Sequence, residues 1–460
     1  MVERMLAALR KQELVLRAGI GVGIYRCLHE WPVWFNDEVY HGSAAEFFAG
    51  PNFFMFLDIG KVAGLGIYVA LCFTVDKSRK SDGLMIAPSL LCAAGFLAPV
   101  LFSLGVPVAP IIMLGALFGV GLGVGMLFAQ WIEFFGTIPP IKTLQALAFS
   151  YVARFLLLPL FDSPDVMTGA LGILGMALVS VPVTSWCIQR TATAFPMSRN
   201  LPPSGTFVRR NGLLFLFVVL FAFAYGLGSG MTDLSHAPLE TGWGKVMPSL
   251  IVLLLVLRLG DRFDRTILYA LSLPLMLAGL LGVVFLGLPM SVSQVLLSAG
   301  FSMFHLLIYV VVCSDAFQSH TSAMPAGACV RALALVAADV AIVLFKALPV
   351  GTRPTVVSAV AIVSIGVGFA ALMPRFGIEG TRSATDLVRD KRRELEGLAA
   401  AHGLSAREST VFELLLEGKT AAQISEELFI SNGAVRAHCS RIYDKFGVHS
   451  RKDFDALFES

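Results

Sequence analysis

Near the end of the chain Ser431 is followed by NGAVRAHCSRIYDKF, in which Val435, Cys439, Ile442 and Phe446 recur at i, i+4, i+7 and i+11. That spacing gathers them on one apolar stripe of a helix. Gly433, Arg436, Ala437, Ser440 and Arg441 fall on the opposite face. Small residues let a helix approach a major groove closely, and a guanidinium beside them can donate two hydrogen bonds to guanine O6 and N7. The chemistry expected of such a face is recognition of duplex DNA, with Arg436 as the expected base reader. A second set of chemically capable residues, Asp58, Lys61, Arg154, Arg331 and Asp339, lies upstream in apolar surroundings. Ions inside apolar spans are costly and generally face a cavity or one another. These five are the candidate ligand-binding residues, and Asp58 and Lys61, at i and i+3, can pair on one helix face.

The DNA-reading helix needs partners to hold it, and the flanking sequence supplies their boundaries. Ser405 with Glu408, Thr420 with Gln423 and Ser450 with Asp453 each fit the box that satisfies unpaired N–H groups at a helix start, and Ser431 is a good N-cap for the reading helix itself. Val411, Leu414 and Leu415 give the first helix its apolar face, and Ile424 and Leu428 that of the second. Only Phe429 and Ile430 separate the second helix from Ser431, so a helix-turn-helix is expected. His438 reads as a packing and backbone-bonding residue.

This segment resembles the LuxR/FixJ/GerE-type helix-turn-helix. The resemblance rests on Leu404, Arg407-Glu408, Gly418, Ile424, Leu428, Ile430-Ser431, Val435, His438, Ile442, Lys445 and Ser450-Arg451. Departures from the family pattern are Ser425 for Ala, Asn432-Gly433 for Pro-Lys, Ala434 for Thr, Arg436 for Lys and Phe446 for Leu. Alanine at 434 removes one phosphate-contacting hydroxyl, and Gly433 costs roughly 1 kcal/mol of helix propensity. The resemblance implies a four-helix domain over residues 404–460 that binds an inverted-repeat operator as a homodimer, the last helix from Ser450 being a candidate dimer surface. It adds Ser431, Lys445 and Arg451 to the DNA-contacting set, Lys445 as a phosphate contact.

The other four hundred residues have a different composition. The whole chain is 56% hydrophobic and 15% charged, with a mean hydropathy of +0.76 even with the polar tail included, so residues 1–374 read as a membrane domain set in a lipid bilayer. Stretches long enough to cross it, about 20 residues each, fall at 14–35, 53–75, 84–105, 108–136, 143–161, 167–188, 212–231, 245–260, 267–287, 292–316, 326–348 and 354–374. Arg17, Arg26, His29 and Glu30 interrupt the first, and the eighth is short unless it begins before Lys245. The amino-terminal segment has no cleavage-type end, and its first span is expected to act as an uncleaved anchor.

Lysines and arginines gather in alternate short loops, at Arg4, Arg10 and Lys11, at Lys77, Arg79 and Lys80, at Lys142, at Arg190 to Arg210, and at Arg258, Arg262 and Arg265. The positive-inside rule puts those loops, and with an even span count both termini, in the cytoplasm. The long loop from Gln189 to Asn211 divides the spans six and six, which suggests a duplication. Asp76-Lys77-Ser78-Arg79-Lys80 and Asp261-Arg262-Phe263-Asp264-Arg265 occupy equivalent places in the two halves and resemble worn copies of the D-R-x-G-R loop motif of major-facilitator transporters, without its glycines.

Other features point to packing. Gly115, Gly119, Gly121, Gly123 and Gly125 sit within an apolar segment with no preceding strand, so they read as close helix contacts rather than a nucleotide loop. Gln130, Trp131 and Glu133 at its end are candidate interfacial anchors. Seven single cysteines have no metal or redox spacing, and no metal, cofactor or enzymatic activity is expected. Residues 375–403 form a linker, with a charged helix over 386–398. The expectation is an all-α protein: about twelve transmembrane helices in a transporter-like six-plus-six bundle, then a cytoplasmic helix-turn-helix domain. Its expected role is that of a cell-membrane regulator in which an unknown small-molecule ligand controls DNA binding. The alternative is a secondary transporter with a regulatory DNA-binding tail.

Overall fold

The computed structural model describes residues 13–34, 52–74, 82–157, 166–190, 206–230, 238–319 and 321–353, single positions between 355 and 366, residue 399, and 402–454 except 417, 418, 429, 449 and 452. The chain divides into two compact units, Met1–Pro374 and Arg375–Ser460.

The first unit contains α1 (Glu13–Trp34), α2 (Asn52–Thr74), α3 (Asp82–Ser103), α4 (Pro110–Phe135), α5 (Pro140–Leu157), α6 (Val166–Arg190), α7 (Thr206–Gly230), α8 (Pro238–Leu259), α9 (Thr266–Leu286), α10 (Met290–Ser319) and α11 (Met324–Ala347). Six of these, α2, α4, α6, α8, α10 and α11, are long and apolar enough to cross a membrane. The described positions from 355 to 366, within the twelfth predicted span, are helical, and the rest of that span lies outside the described residues. So do the basic loop after α2, the loop between α6 and α7, and the charged linker helix. The eighth span needs correction, because α8 begins at Pro238 and carries Lys245 inside it. A hydropathy reading stops at a lysine, whereas the fold gives this one a carboxylate partner.

The unit turns the usual solubility pattern inside out. Ile111, Leu156 and Phe285 lie on its outer surface, while Lys61, Arg154 and Arg331 are buried, as expected where lipid rather than water surrounds the bundle. Helix pairing repeats between the halves. α1 packs on α5 as α7 does on α11, α2 on α4 as α8 does on α10, and α3 on α4 as α9 does on α10. The halves meet through α2 with α11, α5 with α8, and α4 with α10. Exchanging the halves turns α2–α11 into α8–α5, so the duplication read from loop placement is expressed in the packing.

The glycines of α4 divide by face. A Cβ at Gly121 would stand 2.2 Å from the Leu57 carbonyl oxygen, one at Gly125 2.1 Å from that of Lys61, and one at Gly123 2.6 Å from that of Pro88. These positions let α4 lie backbone-to-backbone against α2 and α3. A Cβ at Gly115 or Gly119 would meet nothing within 4 Å among the described residues. Gln130, Trp131 and Glu133 are buried rather than interfacial. Gln130 donates to the Tyr68 hydroxyl at 2.8 Å, and the Glu133 carboxylate accepts from Ser322 Oγ at 2.6 Å and Met324 N at 3.0 Å, capping the start of α11.

The second unit has its own core, with Val411, Phe412, Leu415, Ile424, Val435, Ile442 and Phe454 all buried. Around it run α12 (Ala406–Leu416), α13 (Ala421–Leu428) and α14 (Asn432–Phe446), followed by helical residues at 451, 453 and 454.

Candidate functional site

In the membrane unit a cavity of about 230 Å³ lies between the two halves, walled by α1, α2, α4 and α5 from one half and α7, α8, α10 and α11 from the other. These are four equivalent pairs under the six-helix repeat. Three of the five predicted ligand residues, Asp58, Arg331 and Asp339, line it. The other two require correction, since Lys61 and Arg154 stand one layer behind as partners of lining carboxylates. Lys61 Nζ donates to Asp58 Oδ1 at 2.6 Å, which realises the i, i+3 pair. Arg154 pairs with Glu30, and from the opposite half Lys245 Nζ donates to the other oxygen of the same carboxylate at 3.1 Å. Asp339 on α11 lies against Asp58 on α2.

Sequence reasoning missed several of the lining residues. Arg26 donates through Nε to Ser150 Oγ at 2.8 Å and lies 3.6 Å from the Tyr151 ring centroid. Arg331 reaches across the halves to the His29 imidazole. Aromatic rings fill much of the remaining wall, with Tyr225 stacked on Phe301 at 3.8 Å and His305 4.1 Å from the same ring. Arg26, His29 and Glu30 were visible in the sequence as the residues that spoil the first span, and Lys245 as the one that shortens the eighth. Tyr225, Phe301 and His305 carried no such mark, because an aromatic residue in an apolar span reads as packing.

In the second unit every predicted cap is made. Ser405 N donates to Glu408 Oε2 at 2.8 Å, Thr420 N to Gln423 Oε1 at 2.9 Å, Ala434 N to Ser431 Oγ at 3.2 Å and Asp453 N to Ser450 Oγ at 3.2 Å. Gly447, at φ 68°, closes α14 with a left-handed C-cap. Gly433, Arg436, Ala437, Ser440 and Arg441 are exposed together on one face of α14. The capping oxygen of Ser431 is used within the domain.

Other predicted contact residues are held internally. Arg441 Nε donates to Glu408 Oε1 at 3.0 Å, and Lys445 Nζ donates to Glu408 Oε2 and the Gly403 carbonyl, both at 2.8 Å. Arg451 Nη2 donates to the Leu415 carbonyl at 2.6 Å. His438 takes the Arg441 guanidinium as its partner at 2.9 Å, whereas the backbone bond expected of it is made by His402 to the Lys445 carbonyl. Hydrogen bonds from Lys445, from the Ser405 backbone and from Arg441 hold the Glu408 carboxyl down at about 2. This leaves Arg436 as the guanidinium of that face without an internal bond among the described residues.

Comparison with known proteins agrees with both halves of this description. Residues 402–455 match the family of bacterial regulatory proteins described as the luxR family. The chain is 50% identical over 48 residues to the spore germination protein GerE of Bacillus subtilis, and 45% identical over 47 residues to the fimbriae Z protein of Escherichia coli. These matches take in 10% of this chain and span 65% and 22% of the two relatives. Among solved structures, the human organic anion transporter MFSD10 superposes with a TM-score of 0.52 at 14% identity, over 78% of this chain and 97% of its own. The proton:xylose symporter XylE, of the major facilitator superfamily, gives 0.52 at 12% identity over 79% and 94%.

Proposed function

We propose that this chain, a LuxR-type helix-turn-helix domain carried on a major-facilitator-like helical bundle, is a membrane-bound one-component transcription regulator. A small molecule entering the cavity between the six-helix halves controls the ability of the tail to bind operator DNA as a homodimer. The observation that carries this reading is the pairing, in one chain, of an ion-lined cavity between the six-helix halves with a recognition helix whose outer face is open. The protein resides in the cell membrane with both termini in the cytoplasm, where the basic loops and the DNA both belong. Neither catalysis nor a cofactor is part of the reading.

Coupling needs an element with two arrangements that the ligand distinguishes. Glu30, held by Arg154 from its own half and Lys245 from the other, is suited to that role, because occupancy of the cavity changes the environment of an ion pair that spans the halves. A shift from one in a hundred to ninety-nine in a hundred would require about 5.5 kcal/mol of differential binding.

The second reading, a transporter with a regulatory tail, is favoured by near-complete coverage of two transporter chains. Substrate accumulation in vesicles, dissipated by an uncoupler, would establish it. The regulator is tested with a promoter reporter in cells carrying either the full chain or residues 383–460 alone. Compounds that change the output of the full chain should have no effect on the tail alone, and Asp339→Asn should shift the concentration required. A tail that still responds refutes the sensor.

A further inference from the structure

The charges around the cavity do not balance: cations outnumber carboxylates. Lining it or directly behind its wall stand the cations Arg26, Lys61, Arg154, Lys245 and Arg331, against the carboxylates Glu30, Asp58 and Asp339. Glu30 is taken by Arg154 and Lys245, Asp58 by Lys61, and Asp339 lies against Asp58, which leaves five cations facing three carboxylates. Arg26 and Arg331 are 8% and 7% exposed, yet among the described residues neither has a carboxylate within ion-pairing distance. Their partners are the Ser150 and Tyr309 hydroxyls, an imidazole and aromatic rings. A lysine in such a place could shed its proton, but a guanidinium cannot. A buried cation without a carboxylate in direct contact is costly, and here one faces the cavity from α1 and the other from α11, one in each half.

We infer that the ligand is a small aromatic carboxylate whose anionic head lies between Arg26 and Arg331 and whose ring packs on the wall at Tyr225 and Phe301. The inference rests on the cavity being the signal site of the regulator and names the chemical class of that signal. Guanidinium forks match the two oxygens of a carboxylate. The volume of about 230 Å³ lies below the ~300 Å³ at which drug-sized pockets begin, which fits one ring with a short side chain. His305, 6% exposed and with no hydrogen-bond partner at Nε2 among the described residues, offers a polar contact for a ring substituent. Because the two guanidinium groups belong to opposite halves, an anion that satisfies both holds those halves together.

The test uses the full-length protein in detergent and three probes of one shape, phenylacetate, phenylacetamide and phenethylamine, with inorganic phosphate as a ring-free anion. Phenylacetate should raise the unfolding temperature in a saturable way, while the amide, the amine and phosphate leave it unchanged. Arg26→Gln and Arg331→Gln should each weaken the phenylacetate effect by at least roughly tenfold, and without probe should unfold no earlier than wild type. Equal stabilisation by the amide or amine, stabilisation by phosphate instead, or no effect of phenylacetate on wild type each overturns the inference, and the wild-type comparison does so without any variant. Phenylacetate binding that leaves promoter output unchanged would keep the anion site and remove the sensor reading. A promoter response to a neutral or cationic ligand that competes for the cavity would do the reverse.

Discussion

Alanine at four glycines of α4 should produce opposite effects on stability according to the face each occupies. At Gly125 the new Cβ stands 2.1 Å from the Lys61 carbonyl oxygen, and at Gly121 2.2 Å from that of Leu57, where a real Cβ contact essentially never falls under 3.0 Å. The atoms opposed are backbone, so no side chain can swing aside, and α2 and α4 must part by about 1 Å, an overpacking worth about 1–3 kcal/mol or more. At Gly115 and Gly119 an added Cβ meets nothing within 4 Å among the described residues. There alanine only restricts the unfolded chain and improves helix propensity, a gain of about 0.4–1 kcal/mol. Thermal unfolding of the full-length protein, scanned at one rate because membrane proteins commonly unfold irreversibly, should place Gly121→Ala and Gly125→Ala below wild type. Gly115→Ala and Gly119→Ala should fall at or slightly above it. In a unit of this size each kcal/mol moves the midpoint by about 2 °C or less, so the contrast between the two pairs is the sensitive quantity. A Gly119→Ala midpoint as low as that of Gly125→Ala, or a Gly125→Ala midpoint equal to wild type, would refute the backbone-contact argument.

In the tail, Arg436→Ala should cost about 1–3 kcal/mol on cognate DNA and relax specificity at one base pair, measured by titration against cognate and random duplexes, and equal losses on both would exclude base readout. Lys445→Ala should lower the tail's unfolding temperature while changing the salt slope by less than the single charge of a free phosphate contact, since Nζ is bound to Glu408 and Gly403. The folded Glu408 carboxyl is depressed from 4.5 to about 2, so its contribution to stability is fully present above pH 4.5 and is lost as the pH falls through about 2. Glu408→Gln should flatten that part of the tail's acid unfolding profile, and an unchanged profile would contradict the assignment. Reporters fused after Lys80, Gly205 and Ser460 should read as cytoplasmic and those near Ala44 and Pro164 as external, and an external signal at Gly205 would overturn the six-plus-six division.

The tail was legible in the sequence because its determinants are local. A capping box spans three residues and an apolar stripe repeats every third or fourth, so Ser405-Glu408, Thr420-Gln423, Ser431 and the line from Val435 to Phe446 could be placed before any contact was seen. The helical spans followed from composition for the same reason, and the packing role read for the glycines of α4 is met at Gly121, Gly123 and Gly125 but not, among the described residues, at Gly115 and Gly119. What the sequence could not decide was which distant groups meet. The carboxylate at Glu408 and the cations at Arg441 and Lys445 are separated by more than thirty residues, so two side chains that looked free for phosphate are committed within the domain. In the membrane unit the residues that most weakened the apolar reading, Arg26, His29, Glu30 and Lys245, are those that build the cavity. Hydropathy scores each residue against lipid, whereas the folded bundle sets it against another helix, and only that arrangement determines whether a buried charge meets a carboxylate, as Arg154 does, or, among the described residues, a hydroxyl and an imidazole instead, as Arg26 and Arg331 do.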